Sequence, residues 1–165
     1  MIVKKIIVML MMSLLLSGCG AKETLETVAD DIPLQPVLAE PAQISVRLPD
    51  NAVSPVLESD TEQVYLCEDY EIAIETRSSG DIGGTITALT GFDPEQLTVM
   101  HTKQENADRY EFVWASAGEG GDRLGRAVVL DDGSYHYCMS VLRAEDQKKS
   151  QVVWSDVFSS FSLSS

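Results

Sequence analysis

Basic residues are scarce in this chain of 165 residues, where 12 Lys and Arg stand against 26 Asp and Glu for a net charge of −14. Proteins that bind nucleic acid present a stripe of lysine and arginine to the phosphates, so this balance argues against a nucleic-acid partner. The same charge repels anionic lipid headgroups and keeps the folded part from adsorbing to a bilayer. High negative charge by itself is also a common means of staying soluble.

Catalytic and metal-binding signatures are absent as well. No serine stands in a Gly-x-Ser-x-Gly turn, and the glycine-rich run 118–122 lacks the Lys and Ser/Thr of a phosphate loop. A zinc site needs three or four ligands at metal spacing, whereas only His136 and Cys138 share one strand face. We therefore predict no catalytic residue, metal or cofactor. The alternative that stays open is a cell-envelope hydrolase that uses His136 and nearby carboxylates.

Long apolar runs are missing beyond residue 16. The single run, residues 6–16, follows Lys4 and Lys5 and is shorter than the roughly 20 residues that a membrane-spanning helix needs. It ends in Leu16-Ser17-Gly18-Cys19. This ending resembles the lipobox of bacterial lipoproteins, in which the cysteine receives a diacylglycerol and the preceding peptide is removed. An uncleaved anchor and a general secretory signal are the alternatives.

The lipobox resemblance implies where the protein works. Two acyl chains (palmitate, for example) on Cys19 give stable attachment to a membrane, which one chain does not. We expect the folded part on the extracytoplasmic face of the cell membrane, with a net charge of −16 once Lys4 and Lys5 are removed. Residue 20 is Gly, not the Asp that resembles an inner-membrane retention signal, so outer-membrane delivery stays open for a two-membrane bacterium.

Cysteine is rare, with three residues in the chain. With Cys19 acylated, Cys67 and Cys138 form an even pair in an oxidation-permissive compartment. A bridge between them would close a loop of about 70 residues and contribute about 2–4 kcal/mol. The alternative is a pair of reduced thiols that act as small apolar side chains.

The chain divides into three parts: a signal peptide over 1–18, the acylated cysteine and a tether over 19–43, and one folded domain over 44–165. Three prolines and five acidic residues between 21 and 43 stiffen and extend the tether. The remaining stretch of roughly 120 residues suffices for a single domain with its own core.

Alternation of apolar and polar residues with period two dominates the domain and predicts strands. The segments are 44–48, 64–67, 70–74, 97–102, 110–115, 124–130 and 134–142. Asp131-Asp132-Gly133 predicts a tight hairpin turn between the last two. A short helix is expected over Thr85–Thr90, between Asp81 and Gly91, and an apolar stripe predicts a closing helix over Val153–Phe161.

These elements predict an α+β fold, a single antiparallel sheet of about seven strands with both helices packed on it. Their order, with Leu89-Thr90-Gly91-Phe92 ending the first helix and Trp154, Phe158 and Phe161 in the last, resembles the PsbP-like α/β/α sandwich group. It also resembles uncharacterised lipoproteins of clostridia-like bacteria. The resemblance implies a binding or assembly factor without catalysis, and it transfers no functional residue.

The aromatic residues divide into two predicted sets. Six of them suit a sheet face that meets a helix: Tyr110, Phe112, Trp114, Trp154, Phe158 and Phe161. Tyr135 and Tyr137, which are predicted to be more exposed, form a candidate partner surface together with Arg143. We therefore expect a non-enzymatic binding or accessory module, held to the membrane by the lipid on Cys19, with an envelope protein as its candidate partner. A passive surface-coat role is a further alternative.

Overall fold

A computed structural model describes residues 39–118, 121–144 and 151–164, and the predicted lipobox and most of the predicted tether lie outside this part of the chain. Its main feature is a seven-stranded antiparallel sheet with two helices, so the fold is α+β, as predicted. The elements in chain order are β1 Gln43–Ser45, β2 Leu57–Glu58, β3 Glu62–Leu66, β4 Tyr70–Ser78, α1 Ile82–Thr90, β5 Val99–Lys103, β6 Asp108–Gly118, β7 Gly121–Asp131, β8 Tyr135–Ala144, α2 Gln151–Ser160 and β9 Ser162–Ser164.

The order of strands across the main sheet is β2-β3-β4-β8-β7-β6-β5. The β7–β8 hairpin turns through Asp131-Asp132-Gly133, as predicted. Gly133 adopts a φ of 87°, which residues with a Cβ atom disfavour. The Asp132 carboxylate accepts hydrogen bonds from the backbone N–H groups of Ser134 and Tyr135 and closes the turn.

Helix α1 has the ends that its sequence predicts. The Asp81 carboxylate accepts hydrogen bonds from the N–H groups of Gly83 and Gly84, and Gly91 ends the helix in the left-handed conformation. A short 3-10 turn, Pro94–Gln96, follows with Asp93 as its capping residue. Helix α2 precedes a short strand, β9, where the sequence indicated only the end of a helix.

Each face of the sheet carries its own core. On one face, the α2 face, Trp154, Val157, Phe158 and Phe161 pack against strands β3, β4, β7 and β8. On the other, the α1 face, Ile86 packs against Phe112, Trp114, Ala127, Val129 and Cys138. Large side chains are fully buried in both cores, which supplies the main driving force for folding.

The structure corrects the predicted arrangement of strands and core aromatic residues in three places. The predicted strand over 44–48 is shorter and pairs with β9 outside the main sheet, where Ile44 faces Leu163. The seventh strand of the main sheet is instead β2, a two-residue strand without a readable alternation. The six aromatic residues assigned to one core are split, because Phe112 and Trp114 lie on the α1 face and the α2 aromatics lie on the opposite face.

Neither helix in the described part of the chain is long and apolar enough to span a bilayer.

Candidate ligand groove

A groove of about 470 Å³ lies on the α2 face, between helix α2 and strands β6, β7 and β8. This volume falls within the range of small-molecule sites. The lining residues are Val113, Leu124, Gly125, Arg126, Val141, Arg143, Trp154 and Phe158. Its surface is therefore mostly apolar, with two guanidinium groups among the lining side chains.

The floor of the groove is built from core residues, whereas Leu124, Arg126 and Arg143 beside it are half-buried. Val141, Trp154 and Phe158 are buried, since they belong to the core that fixes α2 on the sheet. Val113 is 59% exposed although it stands in the middle of β6. Val113 therefore adds exposed apolar surface next to the buried apolar floor.

A network of three charged side chains lies beside the groove. The Glu111 carboxylate accepts a hydrogen bond from Arg109 Nε at 2.8 Å on one oxygen and from Arg126 Nη2 at 2.8 Å on the other. Arg126 also lies over the ring of Phe158, with 4.3 Å between the guanidinium carbon and the ring centroid. Two cations share one anion, so the network carries a net charge of +1.

The carboxylate of this network is held in its charged form. Burial by itself raises the pKa of Glu111, but the hydrogen bonds and charges of Arg126 and Arg109 outweigh it and leave the pKa below its ordinary value. At neutral pH the local charge is therefore fixed. The groove thus has positive character in a protein whose net charge is strongly negative.

Arg109 also fixes the helix that forms the groove wall. Its Nη2 donates to the Phe158 carbonyl at 2.7 Å and its Nη1 to the Phe161 carbonyl at 3.1 Å. Carbonyls at the end of a helix lack partners within it, and a cation at that end is favourable. One buried arginine therefore joins β6, the end of α2 and the Glu111 network.

Trp154 lines the groove and carries a buried donor that has no partner among the described residues. Its ring meets Tyr70 edge to face at 4.8 Å between centroids, and its Nε1–H has no hydrogen-bond partner in the described structure. An unpaired buried donor costs about 1–3 kcal/mol. The indole N–H of Trp154 is therefore an unsatisfied buried donor close to the groove.

The predicted partner surface is only partly assembled. Arg143 lines the groove and Tyr135 is half-buried at the start of β8. Tyr137 was expected to be exposed and is fully buried. Its hydroxyl donates to Asp132 Oδ2 and accepts from the Ala42 N–H, both at 2.8 Å, so it ties the start of the domain to the β7–β8 turn. Burial raises its pKa to about 12.

His136 is a structural residue in this arrangement. It is fully buried on the α1 face, where its Nδ1 lies 2.8 Å from Thr85 Oγ1. Asp131 Oδ2 lies 3.5 Å from Nε2, in an orientation that makes no hydrogen bond. The other histidine, His101, is exposed and stacks on Tyr110. Neither histidine lines the groove.

The bridge left open between Cys67 and Cys138 is not formed, and both thiols are free. Cys138 of β8 pairs with Glu75 of β4. The backbone N–H of Cys67 donates to the carbonyl of Tyr70, which lies five residues from Glu75 along β4. This offset separates the two cysteines by roughly 16 Å along the strand direction alone, far beyond the reach of a disulfide. Burial raises the pKa of Cys138 to about 12.

Within residues 39–118, 121–144 and 151–164, no three His, Cys, Asp or Glu side chains converge as metal ligands would. The groove itself was missed by the sequence analysis. The only sequence signal was the spacing of Arg109, Glu111 and Arg126, which alternate with uncharged residues in β6 and β7. That these three side chains meet became clear only from the register of the two strands.

The chain matches no protein-family model, and no curated protein shows significant sequence similarity to it.

Proposed function

We propose that this protein is a lipid-anchored binding module on the extracytoplasmic face of the cell membrane, without enzymatic activity. The lipid is carried by Cys19, and a tether to residue 43 in the polyproline II conformation would span about 75 Å at roughly 3.1 Å per residue. The support is the lipobox pattern Leu16-Ser17-Gly18-Cys19 behind two lysines and a short apolar run. The domain would then act close to the membrane surface.

The ligand contact that we propose is the groove beside α2. The observation that carries the proposal is its positive, apolar lining in a protein with a net charge of −14. An apolar floor with two guanidiniums suits an amphiphile with an acyl or aryl part and a carboxylate or phosphate group, because arginine pairs with such oxyanions through two hydrogen bonds.

The binding hypothesis is favoured over a cell-envelope hydrolase by the position of His136. A general base must reach its substrate within hydrogen-bonding distance, and a fully buried histidine bonded to Thr85 offers no such access. Among the residues that the structure describes, the groove lining includes no histidine, cysteine or serine. Nucleophilic catalysis therefore lacks both the nucleophile and the base at this site.

A likeness to the PsbP-like group belongs to the same proposal. One helix on each face of an antiparallel sheet is the arrangement expected for an α/β/α sandwich. Members of that group serve mainly as binding or assembly factors, which is consistent with an envelope protein as a further partner of this chain. Fold alone does not decide function.

Titration with sodium dodecanoate below its micelle concentration tests the groove. Tryptophan fluorescence is followed in a chain that begins at residue 19 and carries Cys19→Ser. We expect saturable quenching or shift of Trp154 emission with dodecanoate and a much weaker response with dodecyltrimethylammonium, which has the same tail and the opposite charge. Arg143→Gln should weaken dodecanoate binding about tenfold, and Arg47→Gln, an exposed arginine that does not line the groove, should not. Equal responses to both amphiphiles would refute the assignment.

Fractionation of host cells tests the anchor separately. The wild-type chain should partition with membranes, and Cys19→Ala should be released or remain unprocessed. Membrane retention of a processed Cys19→Ala chain would contradict the lipid anchor without bearing on the groove.

A further inference from the structure

The two faces of the sheet are covered unequally. On the α2 face, helix α2, the β1–β9 pair and the stretch from Ala42 to Ala52 all pack on the core. On the α1 face, α1 and the segment after it cover strands β6, β7 and β8. Among the described residues, that core cluster contains no member of β2, β3 or β4.

The dimensions show why one helix leaves a gap on the α1 face. Seven strands at about 4.8 Å spacing make a sheet roughly 29 Å wide, whereas a helix with its side chains is about 10 Å across. Helix α1 has nine residues and lies over one half of the sheet. The half formed by β2, β3, β4 and the neighbouring edge of β8 has room for a second helix.

The uncovered half presents an apolar surface that we term the platform. The register aligns Leu57 with Val64, Val64 with Ala73, and Ala73 with Ser140, so these four side chains form one row on the α1 face. Leu66 and Leu142 belong to the next row, on either side of Glu71. Leu57 is 48% exposed and Leu66 is 59% exposed, which is unusual for leucines within strands.

Carboxylates border this apolar row on both sides. Glu62 and Glu75 face each other in the row on one side, where Arg77 pairs with Glu75 at 2.8 Å. Glu71 stands on the other side, and neither Glu62 nor Glu71 has an ion-pair partner in the part of the chain that the structure describes. Three carboxylates and one guanidinium give the platform a net charge of −2.

A recess of about 220 Å³ continues the platform beyond Leu66 and Leu142. It has the size of one large side chain, and binding interfaces commonly anchor such a side chain in a pocket. Its charged lining consists of four carboxylates (Glu68, Asp69, Glu71 and Asp122) and two guanidiniums (Arg123 and Arg143). The excess of carboxylates favours a lysine or arginine as the anchoring residue.

We propose that the platform docks a basic amphipathic helix of a partner protein. The apolar stripe of that helix would cover Leu57, Val64, Ala73 and Leu66, and its lysines or arginines would meet Glu62 and Glu71. The five residues of β3 extend about 16 Å along the strand, which matches a docking helix of about eleven residues. Recognition by an apolar stripe with i, i+3 and i+4 spacing is a general mode of helix binding.

Charge excludes the two other occupants that the chain itself offers. A second copy would place its Glu62 and Glu71 against the same residues of the first copy, which is repulsive in a symmetric interface. Residues 21–38 of the same chain contain four acidic residues and one lysine. Such a segment complements a net positive surface and not the platform.

The test uses synthetic peptides and the chain from residue 19 with Cys19→Ser, which includes the whole compact unit from residue 38 onward. The probe is a fluorescent 14-residue helix with a leucine stripe flanked by lysines. The comparison peptides carry glutamate in place of lysine, or the same composition without the stripe. We expect anisotropy to show saturable binding of the first peptide, which weakens as salt rises, and at least tenfold weaker binding of the other two.

Variants locate the binding. Leu66→Asn should weaken binding of the basic peptide about tenfold, because the leucine contributes exposed apolar surface and no core packing. The double variant Glu62→Gln with Glu71→Gln should weaken it about fivefold. Glu95→Gln with Glu105→Gln is the matched control, since it removes the same charge from exposed positions away from the platform. Circular dichroism verifies that each variant is folded.

Several outcomes would overturn the proposal. Equal weakening by the control pair would mean diffuse attraction to an acidic protein. Binding that appears only when residues 19–38 are removed would mean that the chain's own segment occupies the platform, and a dimer that Leu66→Asn dissociates would mean a second copy. The proposal rests on the protein being a binding module but not on the groove, because dodecanoate and the basic peptide report on opposite faces of the sheet.

Discussion

Replacing Gly125 with alanine tests how closely the α1 face is packed. Gly125 of β7 lies directly opposite Trp114 of β6, and the indole ring covers it. A Cβ at this position would lie 2.1 Å from Cε2 and 2.3 Å from Cζ2 of the ring. Ordinary contacts begin near 3.4 Å, so the ring or the strand must move by roughly 1 Å or more.

The cost can be bracketed from the surroundings of the ring. Trp114 is buried and packs against Phe112 with 6.0 Å between ring centroids. Strain from one extra methyl group in a packed core costs about 1–3 kcal/mol, and complete loss of a buried tryptophan's packing costs about 3–5 kcal/mol. We therefore expect Gly125→Ala to lower the free energy of unfolding by about 3 kcal/mol, which is a large share of the stability of a single domain.

Urea unfolding, followed by far-UV circular dichroism and tryptophan fluorescence, measures this change. Gly84→Ala is the matched control: it stands in α1 with no atom within 4 Å of the added Cβ, and we expect stabilisation of about 0.5–1 kcal/mol. In a Trp114→Ala background the cost of Gly125→Ala should fall below about 1 kcal/mol. A cost below about 0.5 kcal/mol in the wild type, or an unchanged cost without the indole, would refute the reasoning.

Three further predictions concern the network beside the groove and the cysteines. Arg109→Ala should lower the free energy of unfolding by about 3 kcal/mol, because two carbonyls at the end of α2 and one carboxylate lose a buried donor. The same urea titration measures this loss of stability. A loss no larger than that of Arg47→Ala would contradict the prediction. The pKa of Glu111 is lowered on folding, so its ion pairs stabilise the fold above the ordinary pKa of about 4.3, and this contribution is lost as pH falls through the lower folded value. Glu111→Gln should therefore reduce the difference in stability between pH 7 and pH 3, and an unchanged difference would contradict the assignment. Apart from Cys19, the native chain should expose Cys67 to iodoacetamide and protect Cys138 until denaturant is added. Intact mass checks this, and two thiols that resist labelling in denaturant without reductant would indicate a disulfide.

The strands and helices that the sequence predicted correctly share a strong local cause. In β6, Tyr110, Phe112 and Trp114 alternate with Glu111 and Val113, and the structure places the two sets on opposite faces. The ends of α1 follow from a capping aspartate and a glycine, both of which act within the helix itself. Such signals need no knowledge of the rest of the chain.

The elements that were missed exist only because of a distant partner. β2 is a strand because Leu57 and Glu58 pair with Val64 and Gln63, and its two residues carry no pattern of their own. β9 follows α2 directly and pairs with β1, more than 110 residues earlier in the chain. Short strands of this kind are decided by which backbones meet, and local propensity has little influence on them.

Alternation along a strand says which side chains share a face but not what covers that face. It placed Tyr137 and His136 on opposite sides of β8, as the structure does, yet both are fully buried. Tyr137 is buried because residues near Ala42 return to cover it, and His136 because Thr85 of α1 lies over it. The pattern of a single strand therefore could not predict which of its side chains are exposed to solvent.

Composition alone determined the negative charge. Local pattern predicted the lipobox-like N-terminus, the strands and helices of an α+β fold, the β7–β8 turn and the caps of α1, because each of these depends on residues a few positions apart. Tertiary structure alone decided which face each helix covers, where Arg109, Glu111 and Arg126 meet, and that no described residue of β2, β3 or β4 belongs to the core under α1. These features depend on strand order and register, which bring together residues far apart in the chain through contacts that local sequence does not encode.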